Sequence, residues 1–138
     1  MGGVARADFG TGVGNAVRTL NALGNTPELI PNTTVALSRA VIHAVSIDCT
    51  ANTGEDVYVR FYNHVAPTVG TTTANMVLKG YKGTVKTYTF RRYMTEAEEA
   101  DIWNAAISAA CVTEAGGGAG ATGPSGTVNV TLIITKAT

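Results

Sequence analysis

The stretch Ala40–His64, AVIHAVSIDCTANTGEDVYVRFYNH, constrains the fold more than any other part of the chain. In an extended conformation Val41, His43, Val45, Ile47 and Cys49 share one face, and Ile42, Ala44, Ser46 and Asp48 share the other. After a break at Thr50–Glu55, Val57, Val59 and Phe61 alternate with Tyr58, Arg60 and Tyr62. A period of two is that of a half-buried strand. Asn52-Thr53-Gly54 supplies residues that tolerate the left-handed backbone of a turn. The reading is a β-hairpin with one apolar and one wetter face, which needs a further layer, most simply a second sheet.

More strands follow the same logic. Asn75–Leu78 reads as a strand with Met76 and Leu78 inward, between the loop APTVGTTT (66–73) and a turn at Gly80–Gly83. In Thr84–Tyr93, Lys86, Tyr88, Phe90 and Arg92 alternate with Val85, Thr87, Thr89 and Arg91, and β-branched and aromatic residues fill the segment. In Thr127–Lys136, Val128, Val130, Leu132 and Ile134 face one way. At least five strands joined mostly by short turns point to an antiparallel sandwich or barrel. The expected domain is a mainly β, antiparallel β-sandwich over residues 35–138.

Two segments read as helix. Asn15–Leu23, NAVRTLNAL, places Val17, Leu20 and Leu23 roughly on one side, and Gly24-Asn25 would end it. So short a helix needs a docking surface. Residues 1–34 are therefore expected to form an extended N-terminal arm with a short helix, and Val17, Leu20 and Leu23 its anchors. Met94–Ala110 opens with the capping-box pattern Thr95-x-x-Glu98 and has helix-forming composition, giving an expected helix to about residue 104. Ala106–Thr113 also reads as strand. Gly116–Gly126, GGGAGATGPSG, reads as a flexible, exposed loop.

Composition narrows the function. Only 14% of the 138 residues are charged, and ten basic balance ten acidic ones. A nucleic-acid binder would ordinarily carry a basic patch, so none is expected as a partner. The Gly10-x-Gly12-x-Gly14 spacing has no preceding strand and no following Lys-Ser/Thr, which a phosphate loop requires. No stretch approaches the roughly 20 apolar residues of a membrane span, and no secretory signal pattern opens the chain, so it is expected to be made in a cytoplasm. Cys49 and Cys111 lie in apolar strand-like contexts. They read as buried reduced thiols, with a bridge left open.

No residue set converges on catalysis. His43 reads as a core or interface histidine. Asp48 and Cys49 point to opposite strand faces and cannot serve one site with His64. Glu96, Glu98, Glu99 and Asp101 fit a solvated first helical turn. Arg91-Arg92 with Tyr88, Phe90 and Tyr93, and Arg60 with Tyr58 and Tyr62, mix basic and aromatic residues as protein interfaces do. Tyr58, Arg60, Tyr62, Arg91 and Arg92 are the candidate interface residues. No metal, cofactor or enzymatic role is expected.

The order of features over Val41–Lys136 resembles small structural proteins of tailed bacteriophages. The features are SIDCT, the block EDVYVRFYNHVAPTVGTTTANMVL, TVKTYTF, the Ala-rich NAAISAACVTEA, a Gly-rich loop and TVNVTLIITK. The resemblance implies a jelly-roll-like head decoration, or cement, protein on the capsid surface of the virion. It would be a homotrimer bridging major capsid protein subunits. A tail, baseplate or receptor-binding component of the same fold is the alternative, and a carbohydrate-binding β-sandwich is the reading from another class.

Overall fold

The computed structural model describes residues 16–30, 40–90 and 103–136. They hold eight strands: β1 (Ala16–Leu20), β2 (Glu28–Leu29), β3 (Ala40–Asp48), β4 (Val57–Tyr62), β5 (Met76–Gly80), β6 (Val85–Thr89), β7 (Ser108–Val112) and β8 (Asn129–Lys136). Sheet one runs β1-β8-β3-β6 and sheet two runs β2-β7-β4-β5. Every pairing is antiparallel. This interleaving of two four-stranded sheets is the jelly-roll order, so the expected β-sandwich is present.

The alternation predicted from sequence sets the core. Ile47 and Val45 from β3, Val130, Leu132 and Ile134 from β8, and Leu20 from β1 face Val57, Val59 and Phe61 from β4, Leu78 from β5 and Ala109 and Cys111 from β7. Each large aliphatic side chain so buried contributes about 1.5–3 kcal/mol. Tyr88 and Phe90 pack against the same cluster from the rim.

The pairing of the opening stretch differs from the hairpin expected. β3 pairs with β6 and β8, whereas β4 pairs with β5 and β7. The polar turn between them is a corner that crosses from one sheet to the other. The apolar faces of β3 and β4 meet across the core instead of their edges meeting in one sheet. Within β3 the register slips between Ile42 and Ala44. This bulge inverts the alternation: Ala40 and Ile42 join the core on one side of it, Val45, Ile47 and Cys49 on the other. Val41 and His43 therefore do not share the face of Val45.

The N-terminal expectation is corrected as well. Ala16–Leu20 is a strand in register with Ile134–Val130, not a helix. Strand pairing satisfies this backbone against β8, where an isolated two-turn helix would have had no support. Leu20 and Leu23 are buried in this chain's own core, and Val17 is 58% exposed. Residues 16–29 thus belong to the two sheets and not to an arm. At the other doubtful segment, Ser108–Val112 is strand β7, because Ala109 and Cys111 both reach the core with a period of two. The helix expected from Met94 lies, up to residue 102, outside the described residues, as do Arg91 and Arg92.

Candidate functional site

The outer face of sheet two is where the sequence reading and the structure part most. Tyr58, Arg60 and Tyr62 alternate away from the core, as expected, yet Arg60 and Tyr62 have no exposed surface. Ser108, Ala110 and Val112 on the neighbouring strand are buried too. The Gly-rich segment between β7 and β8 folds back over this face as a roof.

Arg60 holds that roof. Its Nε donates to the Gly116 carbonyl at 2.9 Å. Nη1 donates to Gly118 at 3.2 Å and Gly120 at 2.7 Å. Nη2 donates to Glu114 at 3.3 Å and Ala119 at 2.7 Å. A guanidinium has five N–H donors, and all five bonds run to main-chain oxygens. The charge is thereby taken out of water without a carboxylate partner at bonding distance among the described residues.

Glycine is what lets the roof close. Gly120 has a positive φ of 91° and a Cβ there would overlap the Glu114 side chain. The rest of the segment is tied down along its length. Ala74 N–H donates to the Gly117 carbonyl at 2.8 Å and Thr113 N–H to that of Thr122 at 2.9 Å. The Asn25 amide donates to Ala121 O at 2.7 Å. Ser125 donates through N–H and hydroxyl to Glu55 at 2.9 and 2.7 Å. Buried Asn52 accepts from Gly126 N–H at 2.8 Å. The loop expected to be flexible is thus a fixed layer. Hydrogen bonds from Thr122 hold the Glu114 carboxyl below its ordinary range, and those from Ser125 do the same for Glu55.

Sheet one has the opposite character: its outer face carries no such roof among the described residues. The strand registers line up Thr19, Thr131, Ser46 and Thr87 in one row across all four strands. The hydroxyls of Thr19 and Thr131 lie 3.4 Å apart, and Thr87 donates to Ser46 at 3.1 Å. The next row is Val17, Ile133, Ala44 and Thr89. Beyond the hydroxyl row come Asn129, Asp48 and Val85, with Val85 54% exposed. Asp48 is the single charge of these rows, and its carboxylate accepts from Thr50 hydroxyl and N–H at 2.6 and 2.9 Å. Those bonds pull its pKa below the ordinary value. The face is hydroxyl-lined and almost uncharged.

A third surface lies where β5 and β6 meet at the rim. Lys79 Nζ stands 4.9 Å from the centroid of the Tyr81 ring and 5.8 Å from that of Tyr58, within cation–π range. It also lies 3.5 Å from the Asp56 carboxylate. Lys86 Nζ is 5.3 Å from the Tyr88 centroid, and the Tyr88 hydroxyl donates to Lys79 O at 2.7 Å, joining the two sheets. The neighbouring Tyr58 phenol, then Asp56, hold the Lys79 ammonium above its ordinary range.

Of the residues singled out from sequence, Tyr58 and Tyr88 lie at this rim. Arg60 and Tyr62 lie beneath the roof, and Val17 on the bare face. Lys79, Tyr81 and Lys86 were not picked out, although their places in β5, in the turn after it and in β6 were visible. Cys49 and Cys111 are both free and buried in the core. Burial, then the charges of Cys49 and Glu55, pushes the Cys111 thiol up to about 12. Among the described residues no group of His, Cys, Asp and Glu could hold a metal ion, and no helix is long and apolar enough to cross a membrane. In comparisons with known proteins, no family model, no curated protein and no solved structure matches this chain.

Proposed function

We propose that this protein is a virion structural protein of the head-decoration type, which binds and bridges major capsid protein subunits. The observation that supports this reading is the asymmetry of the sandwich. One sheet is sealed under an arginine-held roof, while the other, among the described residues, presents an uncovered, nearly uncharged face of small and hydroxyl side chains. Such a face makes contact without the cost of stripping water from charges.

Four strands about 4.8 Å apart, over five residues of about 3.3 Å, give that face roughly 300 Å². A stable interface takes about 800 Å² from each partner. One copy would therefore hold a shell weakly. Several copies joined in a homo-oligomer, such as a trimer, would hold it durably, because each later contact is intramolecular. The protein acts in this reading by contact alone, with no reaction and no cofactor.

Quantifying the polypeptide in purified virions tests the reading. Hundreds of copies per particle, lost when Ser46→Lys and Thr131→Lys charge the bare face, are the expected result. A dozen or fewer copies would move it to the tail or baseplate, and absence from the particle would overturn the proposal.

A further inference from the structure

Strand β6 ends sheet one, and among the described residues nothing pairs with its far side. The ladder fixes which main-chain groups point there. Cys49 N–H donates to the Thr84 carbonyl, and Phe90 N–H to that of His43. Both pairs continue the register of β3 with β6, and hydrogen-bonded pairs alternate along an antiparallel ladder. Lys86 and Tyr88 therefore bond to Ile47 and Val45. The N–H and C=O groups of Val85, Thr87 and Thr89 point away from β3, and all three residues are exposed. That leaves three donors and three acceptors along one edge. Two other edges offer less. β2 is two residues long, and on β5 the Lys79 carbonyl is taken by the Tyr88 hydroxyl.

The charge beside the β6 edge narrows what can fill it. Lys82, just before the strand, and Lys86 within it are both exposed. Asp56 faces Lys79 and accepts the Lys82 main-chain N–H at 3.0 Å. Among the described residues no carboxylate pairs with the Lys82 or Lys86 side chain. A second copy pairing β6 with β6 about a two-fold axis would crowd the Lys82 and Lys86 ammonium groups of both copies, which is destabilising. A phosphate backbone meets the lysines but donates nothing to the three carbonyls. An extended peptide with carboxylate side chains satisfies the main-chain groups and the lysines together.

We infer that the outer edge of β6 is a docking site for an extended acidic segment of a partner protein, which adds to sheet one as a fifth strand. Its main chain takes the outward groups of Val85, Thr87 and Thr89, and its carboxylates meet Lys86 and Lys82. The added strand borders the uncovered face of sheet one, because Thr87 and Thr89 belong to both edge and face. The inference goes beyond the decoration reading and does not depend on where the protein acts.

Hydrogen exchange on the purified full chain, with and without a synthetic peptide, tests it. The probe is a heptapeptide of alternating threonine and glutamate with both termini blocked. In the free protein the amides of Lys86 and Tyr88 should be protected, and those of Val85, Thr87 and Thr89 should exchange freely. The peptide should bind with a Kd below about 1 mM and slow those three amides at least about tenfold. Binding should weaken at least about tenfold between about 50 mM and about 500 mM salt, where the screening length falls from about 14 to about 4 Å. Lys82→Glu with Lys86→Glu should abolish it and admit a threonine–lysine heptapeptide instead. Thr87→Pro deletes one outward donor and no bond to β3, and should weaken binding at least about tenfold. Circular dichroism and melting check that each variant is folded, and the charge reversal decides the matter if the proline variant is not. Thr87 protected in the free chain at every concentration would mean that this chain's own residues fill the edge. Protection that grows with protein concentration would mean that a second copy does. Either result overturns the inference, as do equal binding of the threonine–lysine peptide or a thymidine oligonucleotide, or no binding of the acidic peptide at about 1 mM. None of these outcomes bears on whether the protein is found on a shell.

Discussion

Replacing Arg60 asks what a buried guanidinium is worth when all its partners are neutral carbonyls. Two effects oppose each other. Burying the charge costs several kcal/mol, and exchanging a buried ion for an apolar residue of similar size is neutral or stabilising in some proteins. Against this stand five hydrogen bonds from a charged donor to the main chain of residues 114–120. Each is worth about 1.5–3 kcal/mol, and each carbonyl left dry and unpaired costs about 1–3 kcal/mol. Five such terms exceed the desolvation they offset. They do not add in full, because the roof can open and let water in. Opening sets the limit, so Arg60→Met should lower stability by about 3–5 kcal/mol. For a chain of this length that is a fall in melting temperature of about 10–15 °C. Arg60→Lys keeps the charge but offers a compact ammonium with three donors in place of the planar fork, and should fall between the two. Urea is the denaturant to use, since guanidinium is itself the missing group. Hydrogen exchange at Thr113, whose N–H bonds Thr122 beneath the roof, should rise in step. Arg60→Met as stable as the parent, with Thr113 still protected, would refute the reasoning.

Three smaller predictions follow from the same chemistry. The Tyr62 hydroxyl is buried without a hydrogen-bond partner, so Tyr62→Phe should be neutral or stabilise by up to about 1 kcal/mol in urea unfolding. Cys111 is raised from 9.0 to about 12 by burial. Its thiol should ignore a disulfide reagent at pH 8 until the protein unfolds, and because the native value is the higher one, stability should be full below about pH 9 and fall as pH rises toward 12, less steeply in Cys111→Ala. Glu55 is depressed by its bonds from Ser125, so its contribution is present above the ordinary carboxylate range and is lost as pH falls through the lowered native value. The acid limb of a stability–pH profile should flatten in Glu55→Gln.

The strands were legible where one face is greasy and the other wet. That covers the inward residues of β4, β5, β6 and β8 and most of β3. β1 was not legible because, among its described side chains, Leu20 alone sits in the core cluster, and an edge strand reading AVRTL carries no period of two. The corner after β3 was read as a hairpin because the same polar residues serve both turns; what separates them is which edges pair, a long-range property. The roof was missed for a different reason. Glycine and alanine have no side chains to signal contacts, so a loop that offers only bare carbonyls looks like a loop that makes none. The clue was on the partner strand: an arginine between Val59 and Phe61 needs acceptors for its donors, and a glycine-rich segment is a source of them. The rim of lysines and tyrosines was readable residue by residue, but not as one surface, until β5 and β6 were known to lie in different sheets.

The place of β8 between β1 and β3 has a consequence for how the molecule comes into being. Sheet two is complete once Val112 has been synthesised, whereas sheet one lacks an inner strand until residues 129–136 follow. Until then β1 and β3 expose unpaired edges, and the apolar side of sheet two has only a partial lid. Closing contacts so distant along the chain is slow. The emerging polypeptide is therefore most prone to clumping in the interval between its seventh and eighth strands, and that interval is spent making the arginine-held loop.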